Sequence, residues 1–226
     1  MVSEDKFITI TDVVIDKLEG GYYHPQMLAD GRVKDTRYSK SGETLFGLDR
    51  KAGAGLSKYP QWQQFWSRVD STGASNNWRW NYMGGSEAPE LKKLAGRVMY
   101  QEYNNLYNRY FSPESQKLVD SDPRLTFNFA YAAWNGSGWF QRFANALNKA
   151  VAAGERNKDK LVALVVAQRT NSSNSLIAQG GRKISGFINN IEFVEFVTKN
   201  KKNILYLGIG LILLGVSYFV FKSKNK

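Results

Sequence analysis

Glu19 ends a segment of apolar periodicity and is followed at once by Gly20-Gly21-Tyr22, then, after a polar stretch, by Gly42-Glu43-Thr44-Leu45-Phe46-Gly47-Leu48. An acid at the end of a short helix, faced by a glycine-punctuated, strand-like segment, can hold one carboxyl at the mouth of a cleft. That layout suits proton donation to a glycosidic oxygen, with the neighbouring hairpin supplying a second polar group on the other side of the sugar. The alternative is a solvated last-turn residue. At the negative end of a helix dipole, its proton affinity is raised in either case.

A second set of residues runs from Phe127 to Trp139, FNFAYAAWNGSGW. Its small residues allow close helix packing, and Trp134 and Asn135 stand just before a glycine turn, where a stacking surface and an amide can face a groove. A pyranose has an apolar face for the ring and hydroxyl or acetamido groups for the amide. The same pair would also serve as a core Trp and a helix-terminating Asn. Trp78, Trp80 and Tyr82 alternate with Arg79 and Asn81. In an extended segment their three rings share one face, as a sugar platform or as a core edge.

The elements that must position these residues are mainly helical. Thr9 and Asp12 have capping-box spacing, and Ile10, Val14 and Leu18 recur every four residues before Gly20-Gly21, which places Glu19 on the last turn of a helix. The glycines at 31, 42 and 47 predict a small β-hairpin wing between Tyr22 and Leu48. Further helices are expected around Trp62, Phe65 and Trp66, from Pro89 through Leu106, and over Leu125 to Trp134, Trp139 to Ala153 and Asp159 to Arg169. The Ser, Asn and Gly content of Thr170 to Gly186 predicts a loop or linker, and Phe187, Ile191 and Val194 share one helical face beyond it, as an amphipathic stalk at a membrane surface or as a helix packed on the domain.

From Ile204 to Phe221 the chain carries 18 uncharged, mostly apolar residues. As a helix they would rise about 27 Å, close to a hydrocarbon core of roughly 30 Å. Lys199, Lys201 and Lys202 precede this run, and Lys222, Lys224 and Lys226 follow it, so lysines sit at both expected headgroup levels. The expected organisation is therefore a domain over 1–170, a linker and stalk over 171–202, a transmembrane helix over 203–221 and a basic tail over 222–226. The formal charge of +11 owes six lysines to the residues after Thr198, leaving 25 basic against 20 acidic residues before them. That modest excess suits an anionic wall or phospholipid surface. Aromatic and basic residues form no recognisable nucleic-acid motif, so no nucleic-acid partner is expected. With no cysteine and one histidine, disulfides, thiol catalysis and the usual zinc clusters are excluded, and neither a metal nor another cofactor is expected.

Glu19-Gly20-Gly21-Tyr22 with Gly42-Glu43-Thr44-Leu45-Phe46-Gly47-Leu48 resembles the Glu-Gly-Gly-Tyr and Gly-x-Thr-x-x-Gly-Ile pattern of family 108 glycosyl hydrolases, N-acetylmuramidases of the lysozyme-like superfamily. Tyr131-Ala132-Ala133-Trp134-Asn135-Gly136-Ser137-Gly138 is similar to the Ala-Ala-Tyr-Asn-Ala-Gly segment of lytic transglycosylases and to the Asn-x-Gly region of family 108. These patches span roughly Asp12 to Leu147. In place of the family's Asp-x-Gly-Gly run, this chain has Asp30-Gly31 and Asp35-Thr36, and no Gln matches the transglycosylase Gly-Leu-Met-Gln pattern.

The resemblance implies a lysozyme-like α+β domain, with Glu19 as catalytic acid, Thr44 as the strand threonine and Asn135 as the groove asparagine. Asp35 or Glu43 would orient water or stabilise positive charge at the sugar, and chain pattern alone does not choose between them. Tyr22, Trp78, Trp80, Tyr131, Trp134 and Asn135 are the residues expected to meet the substrate. The implied partner is the peptidoglycan glycan strand, cleaved between N-acetylmuramic acid and N-acetylglucosamine. The soluble domain is expected as a monomer, and residues 203–221 are expected to enter the bilayer of a phage virion's internal membrane or of the host envelope. Two alternatives share these residues: a lytic transglycosylase with a single acid/base, and a non-enzymatic membrane or virion structural protein.

Overall fold

The computed structural model describes residues 1–19, 22–23, 44–50, 55–71 and 87–188. The chain divides into two units, Met1–Asn189 and Asn190–Lys226. The second unit, with the expected transmembrane helix over 203–221 and most of the expected stalk, lies outside the described residues. Among the described residues, no helix is long and apolar enough to cross a membrane.

The first unit is mainly helical, with a small antiparallel sheet. Helix α1 spans Glu4–Val14, and Ser3 is its N-cap, its hydroxyl accepting from the Lys6 amide while Glu4 and Asp5 complement the dipole of the first turn. The helix therefore starts earlier than the Thr9 and Asp12 spacing predicts. Thr9 lies inside it, its hydroxyl donating to the Asp5 carbonyl at 3.0 Å. After Val14 the backbone widens into a π-helical turn, Ile15–Glu19.

Three two-residue strands follow: β1 (Tyr22–Tyr23), β2 (Thr44–Leu45) and β3 (Leu48–Asp49), in the order β1-β2-β3. Both pairings are antiparallel, with Tyr22 opposite Leu45 and Leu45 opposite Leu48. This sheet is the expected wing. Its tight end is a two-residue turn in which Phe46 has φ 52° and Gly47 has φ 75°. Positive φ at both central residues is the geometry whose twist matches two antiparallel strands.

The other helices are α2 (Pro60–Ser71), α3 (Ala88–Tyr110), α4 (Pro113–Ser121), α5 (Pro123–Trp134), α6 (Ser137–Ala152), α7 (Lys158–Thr170) and α8 (Ser175–Ile188). Side-chain caps start several of them. Ser112 accepts from the Ser115 amide ahead of Pro113, Asp122 accepts from the Arg124 amide ahead of Pro123, and Asn157 accepts from the Lys160 amide. Helix α5 is the centre of the unit. Every residue from Leu125 to Ala133 is buried, which requires neighbours all round, and it packs against α1, α3, α4, α6 and α7. Phe111, Phe129 and Phe140 meet there edge to face or tilted, with centroids 4.6 to 5.4 Å apart.

Helix α8 corrects the expected loop or linker over Thr170 to Gly186. From Ser175 onward the segment is helical and packs against α7, with Ile177, Ala178 and Ile184 buried. Its glycines serve close approach. A methyl group at Gly180 would lie 2.8 Å from the Tyr131 hydroxyl oxygen, and one at Gly181 would lie 2.7 Å from both the amide nitrogen and the hydroxyl oxygen of Thr170.

Candidate functional site at Glu19

Glu19 is the last residue of the π-helical turn. A π turn carries more residues per revolution than an α-helix, so it changes the direction in which its final side chain leaves the axis, and such turns recur at functional sites. Here the Glu19 carboxyl reaches the tip of the β2-β3 hairpin. A methyl group at Gly47 would lie 2.9 Å from Glu19 Oε2, 2.7 Å from Trp134 Cδ1 and 2.8 Å from Trp134 Nε1. Three elements thus converge on one glycine: the end of the π turn, the hairpin turn and the last residue of α5. Trp134 fixes the hairpin from the other side, since its indole N–H donates to the Phe46 carbonyl at 3.1 Å.

The carboxyl is largely withdrawn from water, and burial pushes its pKa from 4.5 up to about 7. The charges of Arg169 and Lys183 act against this rise, in that order. Burial disfavours the carboxylate and the two cations favour it, leaving an acid that holds its proton near neutrality and can still release it.

Arg169, in the last turn of α7, is the buried cation. Its side chain is 0% exposed, and its guanidinium carbon lies 4.6 Å from the ring centre of Tyr131 and 4.8 Å from that of Phe143. One terminal nitrogen donates to the Asn135 side-chain oxygen and the other to the Asn128 carbonyl at 3.3 Å. Burial lowers its pKa to about 10, against the opposing influence of Tyr131 and Glu19, so it remains a cation at neutral pH.

Tyr131 and Asn135 are one turn apart at the end of α5. Burial raises the Tyr131 pKa, and the Glu19 charge adds to that, while Arg169 and a hydrogen bond with Asn135 oppose it. Tyr131 is therefore not an open stacking face for a sugar: it is 6% exposed, lies under the Arg169 guanidinium and has α8 against its hydroxyl at Gly180. Trp134 and Asn135 are partly exposed beside it, the indole N–H and the amide oxygen already engaged by Phe46 and Arg169.

The structure brings Glu19, Tyr131, Trp134 and Asn135 together from the expected site. Thr44 is partly exposed in β2, at the register pair with Asp49, one pair farther from the turn than Leu45 and Leu48. The backbone of Tyr22 lies in β1 opposite Leu45. Asp35, Glu43, Trp78 and Trp80 lie outside the described residues. Among the described residues, no three acidic or histidine side chains converge as a metal-binding group.

Sequence reasoning missed Arg169 and Lys183. The signal for Arg169 is its spacing, because Leu161, Val165 and Arg169 follow one another at four-residue intervals and all are buried. That stripe places the arginine on the inner face of α7. Lys183 is exposed on α8, three residues beyond Gly180 and hence on the neighbouring turn. Comparison with protein-family models, with curated proteins and with solved structures finds no match for this chain.

Proposed function

We propose that this chain is a lysozyme-like muramidase that cleaves the β-1,4 bond between N-acetylmuramic acid and N-acetylglucosamine, with Glu19 as general acid. The observation that carries this reading is the placement of Glu19: a carboxyl at the end of a helical turn, against the hairpin tip at Gly47 that Trp134 also meets, with its pKa pushed up to about 7. An acid intended for proton donation at neutral pH needs that environment, whereas a solvated glutamate would already be ionised.

In this reading Glu19 gives its proton to the glycosidic oxygen as the C–O bond breaks. The positive charge that develops at the sugar is met by a second carboxylate, Asp35 or Glu43, and Thr44 contributes a hydrogen bond from the wing. Trp134 and Asn135 would meet the sugar beside the acid, and Tyr22, Trp78 and Trp80 are the further residues assigned to the substrate. The resemblance to family 108 supports the same assignment through Glu19-Gly20-Gly21-Tyr22 and the Thr44 to Leu48 segment. The apolar run over 203–221 serves as a single-pass anchor that holds the enzyme in a phage internal membrane or the host envelope, where it opens peptidoglycan locally.

The test is lysis of purified peptidoglycan by the full-length protein in detergent, beside a Glu19→Gln variant with the same circular dichroism. Wild-type clearing that the variant loses by at least a thousandfold supports the assignment. An unchanged rate in the variant removes Glu19 from the chemistry. Reducing ends among the products mark a hydrolase and 1,6-anhydromuramyl ends a transglycosylase, in which the muramyl 6-hydroxyl attacks instead of water. No clearing by the folded wild type favours the structural-protein alternative.

A further inference from the structure

Building on the general-acid reading of Glu19, we propose that Arg169 is a positioning residue of this site, a buried cation that locks Tyr131 and Asn135 in place and supplies a fixed positive charge to the neighbourhood of the acid. Burying a guanidinium carries a large desolvation cost, and a well-packed apolar side chain of similar volume would hold α7 against α5 at least as well. Packing alone therefore gives no reason for an arginine here. Its identified hydrogen-bond acceptors, the Asn135 amide oxygen and the Asn128 carbonyl, are both neutral, and its Nε has no partner among the described residues. The rings of Tyr131 and Phe143 hold the guanidinium between them without neutralising it.

The charge that answers it is the one Glu19 acquires in the reaction. When the proton passes to the leaving oxygen, a carboxylate is left in a partly buried place, and a cation already fixed there stabilises it with no rearrangement at that moment. The influence is mutual, since Arg169 favours the Glu19 carboxylate and Glu19 favours the Arg169 cation. Among the described residues, the other titratable or charged groups acting on the acid are Tyr131 from α5 and Lys183 from α8. Asp16, on the same π turn as Glu19, is paired with Lys92 of α3, and Asp49 stands on β3 of the hairpin. Lys183 is exposed, so solvent screens it, whereas Arg169 is anchored at both ends of its fork.

The experiment follows Glu19 itself, through the carboxyl carbon signals of 13C-glutamate-labelled full-length protein in detergent micelles, with Glu19→Gln identifying the resonance. This readout holds whether or not the chain cleaves peptidoglycan. Arg169→Gln should raise the Glu19 titration midpoint by about one pH unit, a tenfold tighter hold on the proton, and should move the alkaline limb of wall lysis with it. Arg169→Lys keeps the charge but lacks the fork that spans Asn135 and the Asn128 carbonyl. It should leave the midpoint in place and lower the plateau lysis rate about tenfold or more.

An unmoved midpoint in Arg169→Gln overturns the proposal, and so does wild-type lysis by Arg169→Lys. If Arg169→Gln does not fold, Arg169→Lys decides, because a midpoint raised as far as loss of the charge would raise it overturns the assignment. If the wild type clears no wall, the muramidase reading falls, and the titration midpoints alone still decide the role of Arg169.

Discussion

Glu19→Gln should stabilise the protein, and the gain should depend on pH in a defined window. In the unfolded chain the carboxyl ionises at its ordinary value of 4.5, while in the folded chain burial holds the proton up to about 7. Below 4.5 both states carry the proton, and the glutamate contributes no pH-dependent difference. Between 4.5 and 7 the folded state keeps a proton that the unfolded state has lost, so stability falls as pH rises. Above 7 both are ionised and the loss is complete. Each tenfold change in proton affinity is worth about 1.4 kcal/mol, so the full effect is about 3 kcal/mol. Glutamine does not titrate, and its other differences from glutamate are constant with pH, so they cancel when one pH is compared with another. Urea unfolding of both proteins from pH 4 to pH 8, followed by tryptophan fluorescence, should give a stability difference that grows in favour of Glu19→Gln by about 2 to 3 kcal/mol across that range. A difference that stays flat with pH, or moves toward the wild type, would refute the argument that burial holds the Glu19 proton.

The remaining predictions concern the groups around that acid and the apolar run. Gly47→Ala places a methyl group within 2.9 Å of Trp134 and Glu19 at a backbone φ of 75°, so it should cost about 2 kcal/mol or more in urea unfolding and reduce wall lysis sharply; wild-type stability and rate would show that the hairpin tip does not press on the acid. Trp134→Phe keeps a ring but loses the indole donor to the Phe46 carbonyl, so it should cost about 1 kcal/mol in the same assay, and no change would mean that the hydrogen bond does not hold the turn. Removal of the residues from Ile204 onward should convert a detergent-requiring protein into a soluble monomer with a retained circular dichroism spectrum; if the shortened chain unfolds, the apolar run belongs to the folded core, and if the intact chain is extracted by high salt alone, its attachment is electrostatic.

What could be read in the sequence, and what could not, follows from the range of the interactions involved. Glu19 at a helix end was legible because Gly20-Gly21 reads as a helix-stop signal, and a small hairpin wing was legible from its glycines, although the place of its turn at Phe46 and Gly47 was not. The helix over 125–134 and its neighbours were legible from apolar spacing. The π turn was not, because Ile10, Val14 and Leu18 have the four-residue spacing of an ordinary α-helix and one extra residue per turn leaves no mark in composition. Helix α4 went unread although Ser112-Pro113 carries a start signal, an N-cap followed by proline at the first helical position.

Arg169 and α8 were hidden for a deeper reason, which also says what this site is made of. An arginine in the last turn of a helix reads locally as a solvated charge complementing the dipole. It becomes a buried cation only because Asn128, Tyr131, Asn135 and Phe143 come to it from other helices. Ser, Asn and Gly in α8 read as a linker until the tertiary fold shows that Gly180 and Gly181 leave room for Tyr131 and Thr170. The acid and its hairpin are thus specified by short-range signals, while the environment that sets the acid's proton affinity is assembled from α5, α7 and α8. The test of that division is direct. Changes at Glu19 or Gly47 should alter whether the reaction proceeds, and loss of the Arg169 charge should alter the pH at which it does.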